Sequence, residues 1–146
     1  AGGMAALVDV DVLIALFHRR HRHCARAAVW LETQNSPASV AICRVVQMGA
    51  LRILTTAAVM RDDVLTAAEF WRGWDRMMSD DRFVMASEPP QLEIAWRAVT
   101  EPLPKGRIAE TDTYLAAFAA AADHTLVTFD RGFRNFRGLD LELLSD

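Results

Sequence analysis

The chain has 146 residues, 52% of them hydrophobic, which suits one ordinary domain around a single core and is too short for two. A formal net charge of −3 excludes a surface coated in basic residues for nonspecific nucleic-acid binding. That total hides an uneven distribution: "HRRHRHCAR" at 18–26 carries four Arg and three His, whereas Lys occurs once, as Lys105. Cys24 and Cys43 are too few for a disulfide framework and read as reduced thiols of a cytosolic protein. The N-terminal apolar run is interrupted by acids and no stretch approaches the ~20 apolar residues of a membrane span, so a soluble protein without signal peptide is expected. "AGG" before Met4 reads as a remnant of cloning, leaving 4–146 as one domain.

In chain order, "AALV" at 5–8 predicts a short buried strand that hands over to a helix through "VLIALF". Between them stand Asp9 and Asp11, in a run whose other residues are all apolar. An ionised acid buried without a partner is costly, so either the segment turns outward there or something positive meets the acids. A second helix spans Cys24 to Thr33 and ends before "NSP" at 35–37. "SVAI" then reads as a strand and "CRVVQMGALRIL" as a helix. Thr66 and Glu69 have the spacing of a capping box for a helix to about Met78, with Phe70 and Trp74 on its apolar side.

"FVMA" at 83–86 is the next strand. A helix through Trp96 follows "EPP", then the loop "EPLPKGR", a helix from about Thr111 to Ala122, and the strand "TLVTF". The last segment, "LDLELL", alternates: Leu139, Leu141 and Leu143 share one face, Asp140 and Glu142 the other, as in an edge strand with one wet side. Short strands alternating with longer helices predict an α/β three-layer sandwich, with a central, mainly parallel sheet of about four to five strands flanked by helices.

In open α/β sheets the functional crevice lies beyond the carboxyl ends of the strands. Asp9 follows "AALV" and Asp130 follows "TLVTF", so parallel strands would place both acids at one sheet edge. Asp112 heads an apolar helical stripe with Leu115, Ala116 and Ala119, and Gln47 lies in line with Cys43, Ala50, Leu51 and Leu54. Each residue alone has a bland explanation: a helix cap for Asp11 or Asp112, a turn for Asp130, a satisfied core amide for Gln47. Together they converge. Two carboxylates about 4 Å apart repel by roughly 4 kcal/mol at an effective dielectric near 20, so a converging set calls for a divalent cation. An all-oxygen set suits Mg²⁺ or Mn²⁺, and no His and Cys arrangement has zinc spacing.

These blocks resemble the PIN domain, and within it the VapC type of toxin ribonuclease. The likeness rests on "LVDVDVLIALF", "CRVVQMGALRIL", "TDTYLAAFA" and "LVTFDRGF", four segments in order over nearly the whole chain. The resemblance implies a PIN-like sandwich and metal-dependent cleavage of RNA phosphodiesters by an acidic cluster. It assigns catalytic and Mg²⁺- or Mn²⁺-binding roles to Asp9, Asp112 and Asp130. The usual Glu of the family falls on Gln47, which is neutral; Asp11 stands where related toxins carry Asn, Ser or Thr, and Gly132 where a further Asp is common. Asp11 would then restore the carboxylate that Gln47 lacks, as a fourth acidic ligand. Homodimerisation is implied as well, together with a VapB-type antitoxin that wraps the toxin and blocks its site, DNA being met only through that complex.

Arg19, Arg20 and Arg22, with Arg26, are candidates to grip the RNA backbone, against the alternative of a solvated helix end. His18, His21 and His23 read as surface residues in preference to a metal patch. Trp30, Trp71, Trp74 and Trp96, at helical spacing among apolar neighbours, read as core or subunit-interface anchors in preference to base-stacking platforms. Two rival functions stand. Gln47 would suit a catalytically weakened module that survives as an antitoxin-binding partner. "DVDVL" also suits a phosphomonoesterase using Asp9 and Asp11, although the sole lysine, Lys105, lies in a loop and no partner Ser or Thr motif follows the second strand.

Overall fold

The computed structural model describes residues 5–106 and 108–145. The "AGG" segment, Met4, Arg107 and Asp146 lie outside the described residues. Five strands form one sheet: β1 (Ala6–Val8), β2 (Val40–Ile42), β3 (Phe83–Met85), β4 (Thr125–Thr128) and β5 (Leu141–Leu143). Their spatial order is β3-β2-β1-β4-β5, and every pairing is parallel. The helices are α1 (Val10–Phe17), α2 (Cys24–Glu32), α3 (Arg44–Leu54), α4 (Ala57–Met60), α5 (Ala67–Met78), α6 (Leu92–Thr100) and α7 (Glu110–Ala122).

Parallel pairing requires crossovers, and the helices that make them cover the sheet. The inner strands β1 and β2 are buried along their whole length, which is why they read as unbroken apolar runs. β5 lies at the edge with Leu141 and Leu143 half-buried and Glu142 exposed, as its alternation predicts. Glu142 nevertheless has a task, accepting a 3.3 Å hydrogen bond from Nε1–H of the buried Trp30 on α2.

The helix ends obey local chemistry. Thr66 Oγ1 accepts from Glu69 N–H at 3.1 Å while a Glu69 carboxylate oxygen accepts from Thr66 N–H at 2.9 Å, closing the capping box of α5. α5 packs on α1 through the Phe17 and Phe70 rings, stacked at 5.2 Å. Gly73 makes that approach possible, because a Cβ there would come within 2.6 Å of the Phe17 ring. Arg82 closes the corner between α2 and β3, pairing with Asp80 at 2.6 Å and donating to the carbonyls of Leu31 and Gln34.

Three short elements have no counterpart in the sequence reading: α4 and the 3₁₀ turns Arg61–Asp63 and Arg131–Asn135. Each is five residues or fewer, less than two turns, so no helical period accumulates for a sequence pattern to register. α6 also runs one turn past Trp96. Among the described residues no helix is long and apolar enough to cross a membrane.

The strand order fixes where a site can form. From β1 the chain builds outward through β2 and β3 on one side, then returns to place β4 and β5 on the other. The crevice beyond the carboxyl ends of β1 and β4 is therefore the switch point of the sheet.

Candidate active site

Asp9 directly follows β1 and caps α1, so strand end and helix start coincide on one residue. Its backbone N–H extends the ladder by donating to the Val127 carbonyl at 3.0 Å. The side chain is 5% exposed. One carboxylate oxygen accepts from Val10 N–H at 2.6 Å and the other from the Thr128 hydroxyl at 2.7 Å. Thr128 Oγ1 accepts in turn from Asp130 N–H at 3.0 Å. A single hydroxyl at the end of β4 thus ties the Asp9 side chain to the Asp130 backbone.

Asp130 caps the 3₁₀ turn that follows β4, its Oδ1 accepting from Gly132 N–H at 2.8 Å. A Cβ at Gly132 would lie 3.1 Å from that oxygen, so a side chain there would crowd the carboxylate. Asp112 sits in the first turn of α7, half-buried, ahead of the buried Leu115, Ala116 and Ala119. Asp11 occupies the first turn of α1 and is exposed.

These acids feel one another. Burial, reinforced by the charges of Asp11 and Asp112, raises the Asp9 pKa to about 6, against the lowering effect of its hydrogen bonds from Thr128 and Val10. Asp112 is likewise raised, first by burial and then by Asp130, Asp11 and Glu110. Among the described residues no salt bridge neutralises Asp9, Asp11, Asp112 or Asp130. The four carboxylates share one field. They are not drawn together to ligand distance, since no group of three or more His, Cys, Asp or Glu among the described residues is placed to hold a metal ion. Asp11 and Asp130 line one small pocket, and Asp112 lines a second, mainly apolar one between α6, α7 and the turn after β4.

Gln47 is buried, 5% exposed, and its side-chain oxygen accepts from the Arg44 guanidinium one turn earlier on α3. Cys43, which caps α3, is close enough to the site for Asp9 to add to the rise in its thiol pKa, of which burial is the main cause.

The arginines of "HRRHRHCAR" go to separate places. Arg20 pairs with Asp63 at 2.8 Å, with His18 approaching the same carboxylate at 3.6 Å. Arg19 lines a groove between α1, α2 and α5. Arg26 donates to the Ser145 carbonyl at 2.9 Å. Arg22 alone joins the acids, in the pocket of Asp11 and Asp130. Trp30 and Trp74 are buried, Trp96 donates to Thr113 Oγ1 at 2.9 Å, and Trp71 is 41% exposed. Thr128 escapes a sequence reading because a single Thr ending a strand carries no periodic signal; its inward polar position next to "FD" was the available hint.

Comparison with known proteins agrees with this geometry. The PIN domain family model matches residues 6–139. Ribonuclease VapC41 of Mycobacterium tuberculosis is 37% identical over 95% of this chain and 98% of its own length. Ribonuclease VapC38 of the same organism is 30% identical over 87% of this chain and 86% of its own. Among solved structures, VapBC2 from Rickettsia felis bound to a promoter DNA fragment superposes with a TM-score of 0.71 at 16% identity, covering 97% of this chain and 100% of that one. DNA-bound VapBC from Salmonella typhimurium gives 0.66 at 15% identity, covering 95% and 97%. With a parallel sheet in the right order and acids at its switch point, this chain belongs to the PIN-domain family, among its VapC members.

Proposed function

We propose that the protein is a ribonuclease toxin of the VapC kind, cleaving RNA phosphodiesters with a divalent cation that would draw Asp9, Asp112, Asp130 and Asp11 closer together on binding than they stand in its absence. The observation that carries this reading is the placement of Asp9: a buried carboxylate at the switch point of the sheet, with no basic side chain among the described residues paired to it. Among the described residues Asp9 itself is met by no positive charge, and the all-oxygen donors of the acids suit a hard ion such as Mg²⁺ or Mn²⁺. When bound, the cation supplies an acidified water and neutralises charge on the phosphate. Thr128 and Val10 hold the Asp9 carboxylate in one orientation; the Thr128 hydroxyl sets Asp130 relative to it; Asp112 approaches from α7. Asp11 contributes the charge that Gln47, engaged by Arg44, does not.

A VapB-type antitoxin fits the groove between α1, α2 and α5. Its volume is about 560 Å³, with Leu16, Phe17 and Met77 as apolar lining, Arg19, Arg72 and Arg76 as basic groups and Glu69 and Asp80 as acidic ones. That combination suits a partner segment that sets apolar side chains among charged ones. Ile94 and Ile108, 67% and 58% exposed, support homodimer formation, read out by light scattering. The protein acts in the cytoplasm and meets DNA only through the antitoxin complex. The phosphomonoesterase alternative draws no support, because Lys105 is exposed in the loop between α6 and α7.

The test is cleavage of labelled RNA by purified protein with Mg²⁺, Mn²⁺ or EDTA, beside Asp9→Ala, Asp112→Ala and Asp11→Asn and a phosphomonoester substrate. Cation-dependent RNA cleavage is expected to fall at least roughly 100-fold in both alanine variants. Asp11→Asn is expected to weaken Mn²⁺ binding and cleavage together. Cleavage that survives EDTA, or persists in Asp9→Ala, counts against the reading.

A further inference from the structure

The turn between α1 and α2 brings basic and hydrogen-bond-donating groups to the acids. Asp11, Asp130, His21, Arg22, His23 and Phe129 together line a polar pocket of about 310 Å³. Its lining thus joins two acids to the "HRH" turn. A pocket built only for a cation would not need that turn.

That turn is rigidly held. His21 N–H donates to the His18 carbonyl and Cys24 N–H to the His21 carbonyl, each at 3.0 Å. Arg20 and His18 moor its start to Asp63. The His23 ring lies flat on Phe129 at 4.2 Å and 13°, and Phe129 is the residue before Asp130. The stack therefore fixes the turn directly against the end of β4.

Hydrogen bonding inside the turn decides what His21 can offer. Its Nδ1 accepts from His23 N–H at 3.1 Å, so in the neutral ring the proton sits on Nε2. His21 therefore presents Nε2–H as a donor, while Nδ1, already engaged, is unsuited to ligate a cation. Arg22, anchored by its Nε–H to His23 Nε2 at 3.1 Å, is held in the same turn.

We propose that this pocket seats the phosphate of the RNA backbone, with His21 Nε2–H and the Arg22 guanidinium holding its oxygens beside the acids Asp11 and Asp130. The assignment rests on the ribonuclease reading and adds to it the residues that grip the substrate. An anionic phosphodiester is repelled by the acids until a cation offsets that charge, and then needs donors for the oxygens the cation does not hold. The "HRH" turn supplies them without contributing to cation binding.

The test compares wild type with His21→Ala and His21→Gln on a fluorescein-labelled single-stranded RNA of mixed sequence, with Mn²⁺ affinity measured alongside. Gln is chosen because its amide N–H reaches the place of Nε2–H. His21→Ala is expected to lose roughly 10- to 100-fold in kcat/KM, the scale of one hydrogen bond to a charged group, with Mn²⁺ affinity unchanged. His21→Gln is expected to recover most of that loss with the wild-type pH profile. Full cleavage by His21→Ala, under conditions where Asp9→Ala is inactive, overturns the inference and leaves the ribonuclease reading intact. Weakened Mn²⁺ binding in His21→Ala, or a limb of the pH profile missing in His21→Gln, overturns it too, by making His21 a ligand or a proton carrier. If wild type cleaves no RNA with either cation, both the reading and the inference fall.

Discussion

Asp9 bears the sharpest conflict in the molecule, and its consequences are measurable. Its pKa rises from 3.8 to about 6, chiefly through burial. The folded state therefore holds this proton more tightly than the unfolded chain does. In the cation-free protein the Asp9 contribution is most favourable below about 3.8 and is lost as pH rises through about 6. Asp9→Asn is thus expected to stabilise the cation-free fold near pH 7.5, by up to about 3 kcal/mol, and to make little difference near pH 4. Urea denaturation in EDTA at both values checks the sign, and an asparagine that destabilises at pH 7.5 refutes it. Thr128→Val removes the hydroxyl that serves Asp9 and Asp130 at once. The buried Asp9 carboxylate loses a partner, and so does the Asp130 N–H, so a stability loss of about 1–3 kcal/mol is expected in the same assay.

Among the elements, α1 and α5 meet where there is no room for a side chain at Gly73. Alanine there gains helix propensity, about 1 kcal/mol, but forces Phe17 off its stack with Phe70. Overpacking of this kind costs about 1–3 kcal/mol, so Gly73→Ala is expected to lower the thermal midpoint on balance. The long elements were legible in the sequence for a physical reason. A buried parallel strand must be apolar throughout, as "AALV" and the "VAI" of "SVAI" are. An amphipathic helix must repeat its apolar residues, and "TAAEFWRGW" does so behind its capping box. Asp9, Asp130 and Asp112 were legible as acids at element ends. The fates of Arg19, Arg20 and Arg22 were not, because neighbours in a turn leave it in directions set by its tertiary anchors, here Asp63 and Phe129. The role of His21 was hidden for the same reason: only the fold reveals which ring nitrogen is already taken.

For the molecule as a whole, the cation binding proposed above would be linked to folding. An ion that binds the folded site and not the unfolded chain stabilises the protein by about 2.7 kcal/mol at one hundred times its Kd. If Asp9 is a ligand as proposed, binding would displace its proton, so stabilisation by Mn²⁺ is expected to be larger at pH 7.5 than at pH 5. Thermal unfolding across a Mn²⁺ titration at the two pH values measures it, and an equal shift at both would place the ion elsewhere. The hydrogen bond between Thr128 and Asp9 joins residues 119 apart in the chain. During synthesis the first acids emerge long before β4 exists to receive them. A ribosome-bound chain therefore leaves the Asp9 carboxylate without its Thr128 partner until nearly all of it has been made, and a truncated product that ends before β4 never gains it.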